Sequence, residues 1–227
     1  MDITLEQINA RVQKLDIQTR ISRPNTRYRG VRYKKQEGYL QITQKHFDCY
    51  VSGSNMDYIC FKNAEVNVIF ELLLDIFDSY QQWEKEIIAA AKEMDFSTIV
   101  SCSWSIFSNP ILIMNDNMKI LAQFQNVAMD EFSKAYPNLL NSRSVSSELY
   151  ARSEKAFVRQ GIDPTSRPIF LHYTKTDPNS NILCGIIKRG DTIFGRVLLM
   201  EYGRTLSMAD YQNIYILCSW ISEYILF

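Results

Sequence analysis

The chain has 227 residues, of which 46% are hydrophobic, enough for one large domain or two small ones. Lys plus Arg and Asp plus Glu both number 25, so no net charge draws the chain to nucleic acid or to a membrane. The five scattered cysteines lack a CxxC motif and fit reduced thiols rather than a disulfide framework. No signal peptide and no apolar run of about 18 residues is present, so we expect a cytoplasmic protein with no membrane contact.

Residues 1–63 are predicted to form a small N-terminal α/β domain. Thr4 and Gln7 have the spacing of a capping box, which predicts a first helix to about Leu15. Apolar and aromatic runs then predict three short strands: Tyr39–Ile42, Phe47–Val51 and Tyr58–Phe61.

A basic stretch lies inside this domain. Between Arg11 and Lys35 there are nine Lys and Arg residues against one acid, Asp16, a local net charge of +8. With Tyr28 and Tyr33 interleaved, the cations of residues 20–35 suit a phosphate backbone. The alternative is a solvated loop whose charge offsets acids on the next helix. The cations in question are Arg20, Arg23, Arg27, Arg29, Arg32, Lys34 and Lys35.

Residues 64–95 are predicted to form a long connecting helix, without internal Gly or Pro. Its apolar residues recur at alternating steps of three and four, the a/d spacing of a coiled coil. We therefore expect this helix to pair with its copy in a homodimer; the alternative is one long core helix of a monomer. The predicted dimer contacts are Ile69, Leu73, Ile76, Tyr80, Trp83 and Ile87.

Residues 96–227 are predicted to form a third part with the element order of GAF and PAS-like sensor domains. A helix from Phe96 to Phe107 ends at Asn109-Pro110 because proline cannot continue it. Next come a hairpin (111–114 and 119–124) and a polar helical region (126–165, with its clearest helix at 147–160). The sequence then predicts three strands (169–174, 182–188 and 192–202) and a helix capped by Ser207. The fold class is therefore α+β, with a five-stranded antiparallel sheet flanked by helices.

The closing helix repeats the coiled-coil spacing. Steps of three and four again separate its apolar residues, so we expect it to join the homodimer interface as part of a four-helix bundle. The residues with this spacing are Tyr211, Ile214, Cys218, Ile221 and Ile225.

Three segments resemble the sensory region of PucR-type bacterial transcriptional regulators: FELLLDIFDSYQQWEKEI, SNPILIMNDNMKILAQ, and the run from FGRVLLMEYG into the closing helix. The resemblance spans about residues 70–225. It implies a one-component regulator, in which a sensor region precedes a DNA-binding helix-turn-helix. The sequence ends at Phe227, directly after the closing helix, so DNA contact is expected only through a domain not present in this chain.

No catalytic motif accompanies this organisation. The two histidines, His46 and His172, lie far apart in the sequence, and no HExxH, GxSxG, Walker or EF-hand pattern occurs. We expect no enzymatic activity, no metal site and no cofactor.

In GAF and PAS-like folds the ligand lies between the sheet and the variable helices. Arginines beside an apolar cavity would suit an anionic metabolite, because a guanidinium matches carboxylate or phosphate. The predicted function is therefore small-molecule sensing; the alternatives are nucleic-acid binding through the basic stretch, or a dimerisation scaffold without a ligand. The candidate ligand contacts are Ile113, Arg143, Tyr150, Arg152, His172 and Cys184.

Overall fold

The computed structural model describes residues 1–124, 136, 155, 167–172, 181–190 and 192–225. Two compact units, Met1–Glu84 and Lys85–Phe227, make up the chain, and their boundary falls inside the long helix α2. Within the described ranges, no helix is long and apolar enough to cross a lipid bilayer.

The N-terminal unit contains one short helix, α1 (Leu5–Val12), and two sheets. Strands β1 and β3 pair as an antiparallel ribbon, and the other five form a sheet in the order β2-β7-β6-β5-β4, in which β4 and β5 are parallel. The strands are β1 (Ile3–Thr4), β2 (Ile17–Arg20), β3 (Arg27–Tyr28), β4 (Val31–Arg32), β5 (Leu40–Lys45), β6 (Asp48–Ser52) and β7 (Tyr58–Phe61).

The predicted capping box at α1 is present, since the Thr4 side chain accepts from the Gln7 N–H and Gln7 Oε1 accepts from the Thr4 N–H. The helix ends at Val12, three residues before the predicted end. The chain then enters β2, which pairs with β7, so sheet pairing stops the helix where local spacing would have continued it. Strands β2, β3 and β4 were not predicted, because their polar residues carry no clear alternation.

Helix α2 (Val66–Lys92) is followed directly by α3 (Phe96–Phe107). Met94 takes a left-handed conformation with φ of 57°, which breaks the helical path between them. Asp95 then caps α3, accepting hydrogen bonds from the N–H and hydroxyl of Thr98 at 3.0 and 2.6 Å. Prediction and structure agree on both ends of α3.

The second unit contains a five-stranded sheet in the order β10-β11-β12-β8-β9, antiparallel throughout. This pairing confirms the predicted α+β class and its GAF-like antiparallel sheet. The closing helix α4 (Met208–Tyr224) follows the last strand and carries the predicted Ser207 cap. The strands are β8 (Ile111–Asn115), β9 (Ile120–Gln123), β10 (Ile169–His172), β11 (Asn181–Arg189) and β12 (Thr192–Met200).

A polar cluster joins the end of α3, the loop after β12 and the start of α4. The buried Asn109 amide accepts from the Tyr202 N–H at 3.2 Å and donates to the Arg204 carbonyl at 3.1 Å. The Arg204 guanidinium donates both to the Phe107 carbonyl, at 2.9 Å from Nε, and to the buried Asp210 carboxylate, at 2.9 Å from Nη1. The Asn-Pro pair thus has a structural role, because the buried Asn109 amide joins the end of α3 to the backbone of the loop after β12.

Helix α4 packs very closely against β11 at one glycine. A Cβ atom placed on Gly185 would lie 2.6 Å from Cys218 Sγ and 2.6 Å from Ile214 Cγ2, both on α4. Tyr211 of the same helix stacks on Phe170 of β10, with ring centroids 6.2 Å apart. The absence of a side chain at Gly185 therefore sets how near α4 comes to the sheet.

We expect Gly185→Ala to lower the free energy of unfolding by about 1–3 kcal/mol, because the added methyl group overpacks this contact. Urea denaturation followed by circular dichroism measures the change. Gly30→Ala is the matched control, since its Cβ would meet nothing nearer than Tyr39 Cε1 at 3.5 Å, an ordinary contact. Equal stability of Gly185→Ala and the unmodified protein would contradict the close packing of α4.

Candidate functional site

The strand register of the second unit assigns each side chain to one of two sheet faces. Directly paired residues of neighbouring antiparallel strands point to the same face, and successive residues alternate. Gly185 pairs with Val197, and Val197 pairs with Ile113, so these three share one face. Because Gly185 contacts α4, this is the face covered by the closing helix, called here the helix face.

The opposite face, called here the open face only because α4 does not cover it, carries the alternate residues of the same strands. Arg196 pairs with Ile186 on one side and Met114 on the other, so all three belong to it. At the edge of this face, Gln123 of β9 pairs with Leu112 and is an exposed polar residue. Ten side chains of β8, β10, β11 and β12 on this face are buried, and all except Arg196 are apolar. They are Leu112, Met114, Ile169, Leu171, Ile182, Cys184, Ile186, Arg196, Leu198 and Met200.

Arg196 stands out on this face because it is a permanent charge with 1% of its surface exposed. A guanidinium stays protonated in proteins, and burying a charge is costly unless other groups compensate it. Among the described residues of this unit, Asp210 is the other buried charged side chain, and it is paired with Arg204. The open face therefore combines an apolar lining with one strong cation, a composition suited to a small-molecule site.

Sequence reasoning did not select Arg196, although a signal was present. The strand FGRVLLM is apolar except for this arginine. A single charge inside a strand that reads as buried on both faces is either satisfied within the core or used for binding. That signal becomes specific only once the register shows which face the arginine occupies.

The predicted ligand contacts do not all come together. Cys184 lies on the open face, whereas Ile113 lies on the helix face, so the two residues expected on facing strands of one pocket are on opposite sides of the sheet. His172 ends β10 and pairs with Asn181. Arg143, Tyr150 and Arg152 lie outside the described residues, so their contact with a ligand stays a prediction.

The residues predicted for dimerisation have core positions in the single chain. In α2 all six are at most 5% exposed, as expected for the core-helix alternative. In α4, Ile214 and Cys218 contact the sheet at Gly185, and Tyr211 stacks on Phe170. Ile221 and Ile225 are also buried. These side chains are therefore committed to the chain's own core, and pairing between chains stays a prediction that needs another surface.

Three cysteines are held in the protonated state. Burial raises the pKa of the Cys49 thiol to about 11, with a contribution from Cys60. Burial raises the pKa of Cys102 to about 12, assisted by the Glu86 carboxylate. Burial, with the nearby Cys184 thiol, also raises the pKa of Cys218. Because the thiolate is the reactive form, these groups are poor nucleophiles at neutral pH.

Within the described ranges, no three His, Cys, Asp or Glu side chains lie close enough together to hold a metal ion.

The basic stretch of the N-terminal unit is a second candidate site. All seven cations of residues 20–35 are exposed, whereas Tyr28 is buried with its hydroxyl accepting from the Ser54 N–H at 2.8 Å. Tyr33 remains half exposed and stacks on Phe70, with centroids 4.7 Å apart. The positive charges thus lie on the surface, while one of the two interleaved tyrosines belongs to the core.

Asp57 holds part of this stretch in place. Its buried carboxylate accepts from the Ser22 N–H at 2.8 Å, the Ser22 hydroxyl at 2.6 Å and the Arg23 N–H at 3.1 Å. Burial opposes ionisation of Asp57, but these hydrogen bonds outweigh it and lower its pKa. The backbone at residues 22–23 is therefore fixed to the turn before β7.

No family model matches the chain, and no curated protein matches it. Among solved structures, the chain is similar to the GAF domain of an Acinetobacter phosphoenolpyruvate-protein phosphotransferase, with 11% identity and a TM-score of 0.41 over 65% of this chain and 90% of that one. It is also similar to the A. aeolicus nlh2 GAF domain in an inactive state, with 10% identity and a TM-score of 0.39 over 63% of this chain and 96% of that one. The fold assignment rests on the strand pairing described above.

Proposed function

We propose that this chain is the ligand-sensing and dimerising region of a PucR-like one-component transcriptional regulator. A small molecule binds on the open face of the second unit, and the helices transmit binding to a DNA-binding domain that is not part of this chain. The observation that carries the proposal is the sheet itself: α4 covers one face, and the other combines apolar side chains with one buried guanidinium. Sites of this composition are typical of small-molecule binding.

The polar cluster around Arg204 supplies a route from the sheet to the helices. Strand β12 carries Arg196 and leads into the loop that holds Arg204. Arg204 in turn binds the last carbonyl of α3 and the first turn of α4 through Asp210. A ligand that shifts β12 therefore acts on both helices through hydrogen bonds, provided it binds the two arrangements with different affinity.

A homodimer remains part of the proposal. Since the residues of α2 and α4 with the coiled-coil spacing are buried, two chains have to pair through side chains that the single chain leaves exposed. Val68 on α2 is 62% exposed and Tyr215 on α4 is 44% exposed, both large apolar groups on helix surfaces. Such groups are candidates for an interface, because apolar surface on a helix gains free energy when covered.

A second candidate function is nucleic-acid binding through the basic stretch. The observation that favours it is the exposure of all seven cations on a unit separate from the sensor sheet. Arginines on a surface neutralise phosphates and release counterions, which gives affinity without sequence recognition.

Sensing predicts that some metabolite stabilises the second unit. Binding to the folded state alone contributes about 2.7 kcal/mol at a ligand concentration 100 times the Kd, enough to raise Tm by several degrees. Differential scanning fluorimetry against a metabolite panel measures the shift. A panel without a single hit would favour a dimerisation scaffold without a ligand.

If two chains form a homodimer, we expect the particle to have a mass of about twice 26.5 kDa by multi-angle light scattering at micromolar concentration. Val68→Asp should weaken the dimer while leaving the fold intact, because the side chain is exposed. Ile69→Asp is the matched comparison and should unfold the chain, because Ile69 is 4% exposed and a charge there would be buried. A monomer at this concentration would contradict the dimer.

The two candidate functions differ in a salt series. If the sensing function is the whole activity, labelled DNA and RNA oligonucleotides should not bind at physiological salt. If the basic stretch binds them, log K should fall linearly with log salt, with a slope of about −0.9 per phosphate contacted on duplex DNA. Arg20→Ala with Arg32→Ala should then reduce the slope, whereas the exposed Lys119→Ala of the second unit should leave it unchanged. Fluorescence anisotropy measures both.

A further inference from the structure

The five-stranded sheet of the N-terminal unit has two faces of different character. Directly paired residues of neighbouring strands point to the same face, and successive residues of a strand alternate between the two. One face belongs to the core, and its buried residues are Val31, Leu40, Ile42, Cys49, Val51, Ile59 and Phe61. The other, called here the outer face, is exposed or half-buried at every residue except Cys60. It consists of Gln18, Arg20, Arg32, Gln41, Thr43, Lys45, Asp48, Tyr50, Ser52, Tyr58 and Cys60.

Two tyrosines lie at the centre of the outer face. Tyr50 is on β6, the middle strand of the sheet, and Tyr58 is on the neighbouring β7. Both residues are half-buried, and their ring centroids are 5.8 Å apart with 54° between the planes. The Lys45 ammonium lies 5.2 Å from the centroid of the Tyr50 ring. The centre of the outer face therefore presents aromatic rings beside a cation, the two kinds of group that hold a base and its phosphate.

A row of direct partners crosses the whole sheet and has a cation at each end. Arg20 pairs with Tyr58 at one edge, and Arg32 pairs with Gln41 at the other. Both arginines are exposed, and β2 and β4 are the two edge strands. With neighbouring strands about 4.8 Å apart, the row is about 19 Å long. A nucleic-acid strand laid along it would meet a guanidinium at both ends and a ring between them.

The charge of the outer face favours a polyanion. Its acid, Asp48, is paired, since the Lys62 ammonium lies 2.8 Å from Asp48 Oδ2. Phosphates gain from the excess of positive charge that remains. The half-buried rings add a preference for unpaired bases, because the bases of a duplex are stacked on one another and cannot reach a protein ring. The cations contributed by the strands of this face are Arg20, Arg32 and Lys45.

We propose that the outer face binds single-stranded nucleic acid, with bases stacked on Tyr50 and Tyr58 and phosphates on the flanking cations. The proposal rests on the second candidate function, nucleic-acid binding by the N-terminal unit, and specifies its substrate class and surface. It uses Arg20 and Arg32 of the basic stretch, which the strand pairing brings to the same face as the two tyrosines. The tyrosines interleaved with the basic stretch in the sequence are not part of this face.

The first test compares labelled oligonucleotides of about 12 nucleotides, within the usual range of site sizes, by fluorescence anisotropy at physiological salt. The arms are single-stranded RNA, single-stranded DNA and duplex DNA of the same mixed sequence, each titrated with the unmodified chain. We expect at least one single strand to bind about tenfold or more tightly than the duplex, because only unpaired bases can stack on the tyrosines. A preference for RNA over single-stranded DNA would indicate contact with the 2′-hydroxyl, and binding of either strand supports the proposal.

Variants then assign the binding to the rings. Tyr50→Leu and Tyr58→Leu keep an apolar side chain but remove the stacking surface, and each should weaken single-strand binding by about fivefold or more. Tyr58→Phe keeps the ring and should bind like the unmodified chain. Phe170→Leu is the matched control, because it removes a ring that is 46% exposed on the other unit and should leave the affinity unchanged. The comparison of single strand with duplex needs no variant, so it decides the matter even if a tyrosine variant does not fold.

Three outcomes would overturn the proposal. One is that no single strand binds. Another is that duplex DNA binds as tightly as the single strands. The third is that both leucine variants keep the full affinity. If the duplex binds equally and only Arg20→Ala with Arg32→Ala weakens it, nucleic-acid binding by the basic stretch stands and the outer face is lost as its site. If no oligonucleotide binds and light scattering shows that Tyr58→Leu dissociates a dimer, the face is instead an interface between copies of the chain.

Discussion

The contact between α4 and β11 at Gly185 decides what each face of the second sheet can do. A helix packs this close only where no Cβ stands between it and the strand, and Ile214 and Cys218 occupy that space. Once α4 lies there, the helix face is filled by the chain's own side chains. The position of one glycine thus determines which face of the sheet α4 covers.

The open face carries one buried charge, that of Arg196, and burying a charge costs free energy. An apolar sheet face needs no arginine for packing, and a guanidinium placed there loses its hydration. A buried charge of this kind persists where it is compensated or where it has a use. The charge of Arg204 is matched by Asp210 and by the Phe107 carbonyl. One arginine holds the helices to the end of the sheet, and the other gives the sheet its electrostatic character.

The two units place different chemistry on one chain. The N-terminal unit carries exposed cations whose backbone is fixed in part by Asp57, whereas the second unit carries its notable cation buried. Exposed charges act through long-range attraction that salt screens, and a buried one acts through short-range, directional contact. The division of the chain inside α2 therefore separates a unit with exposed cations from a unit whose central cation is buried.

The sequence by itself determined the elements whose signals are local. The proline after Asn109 predicted where α3 ends, and the Ser207 cap predicted where α4 begins. The cap of α3 at Asp95 was seen only in the structure. The antiparallel hairpin and the strands that form the second sheet followed from apolar runs between turns, and with them the α+β class. These features need only neighbouring residues, because caps, turns and alternation are set within a few positions.

Tertiary structure alone decided how those elements are used. The steps of three and four in α2 and α4 are the same for a coiled coil and for a helix packed in its own core, and the burial of Leu73 and Ile214 in one chain shows the second use. Strands as short and polar as Ile17–Arg20 exist because β7 offers a partner distant in sequence. The strand register likewise placed Ile113 and Cys184 on different faces of the sheet, and it placed Arg196 on the face that α4 does not cover. Which residues share a sheet face depends on how several strands pair, so no single stretch of sequence specifies it.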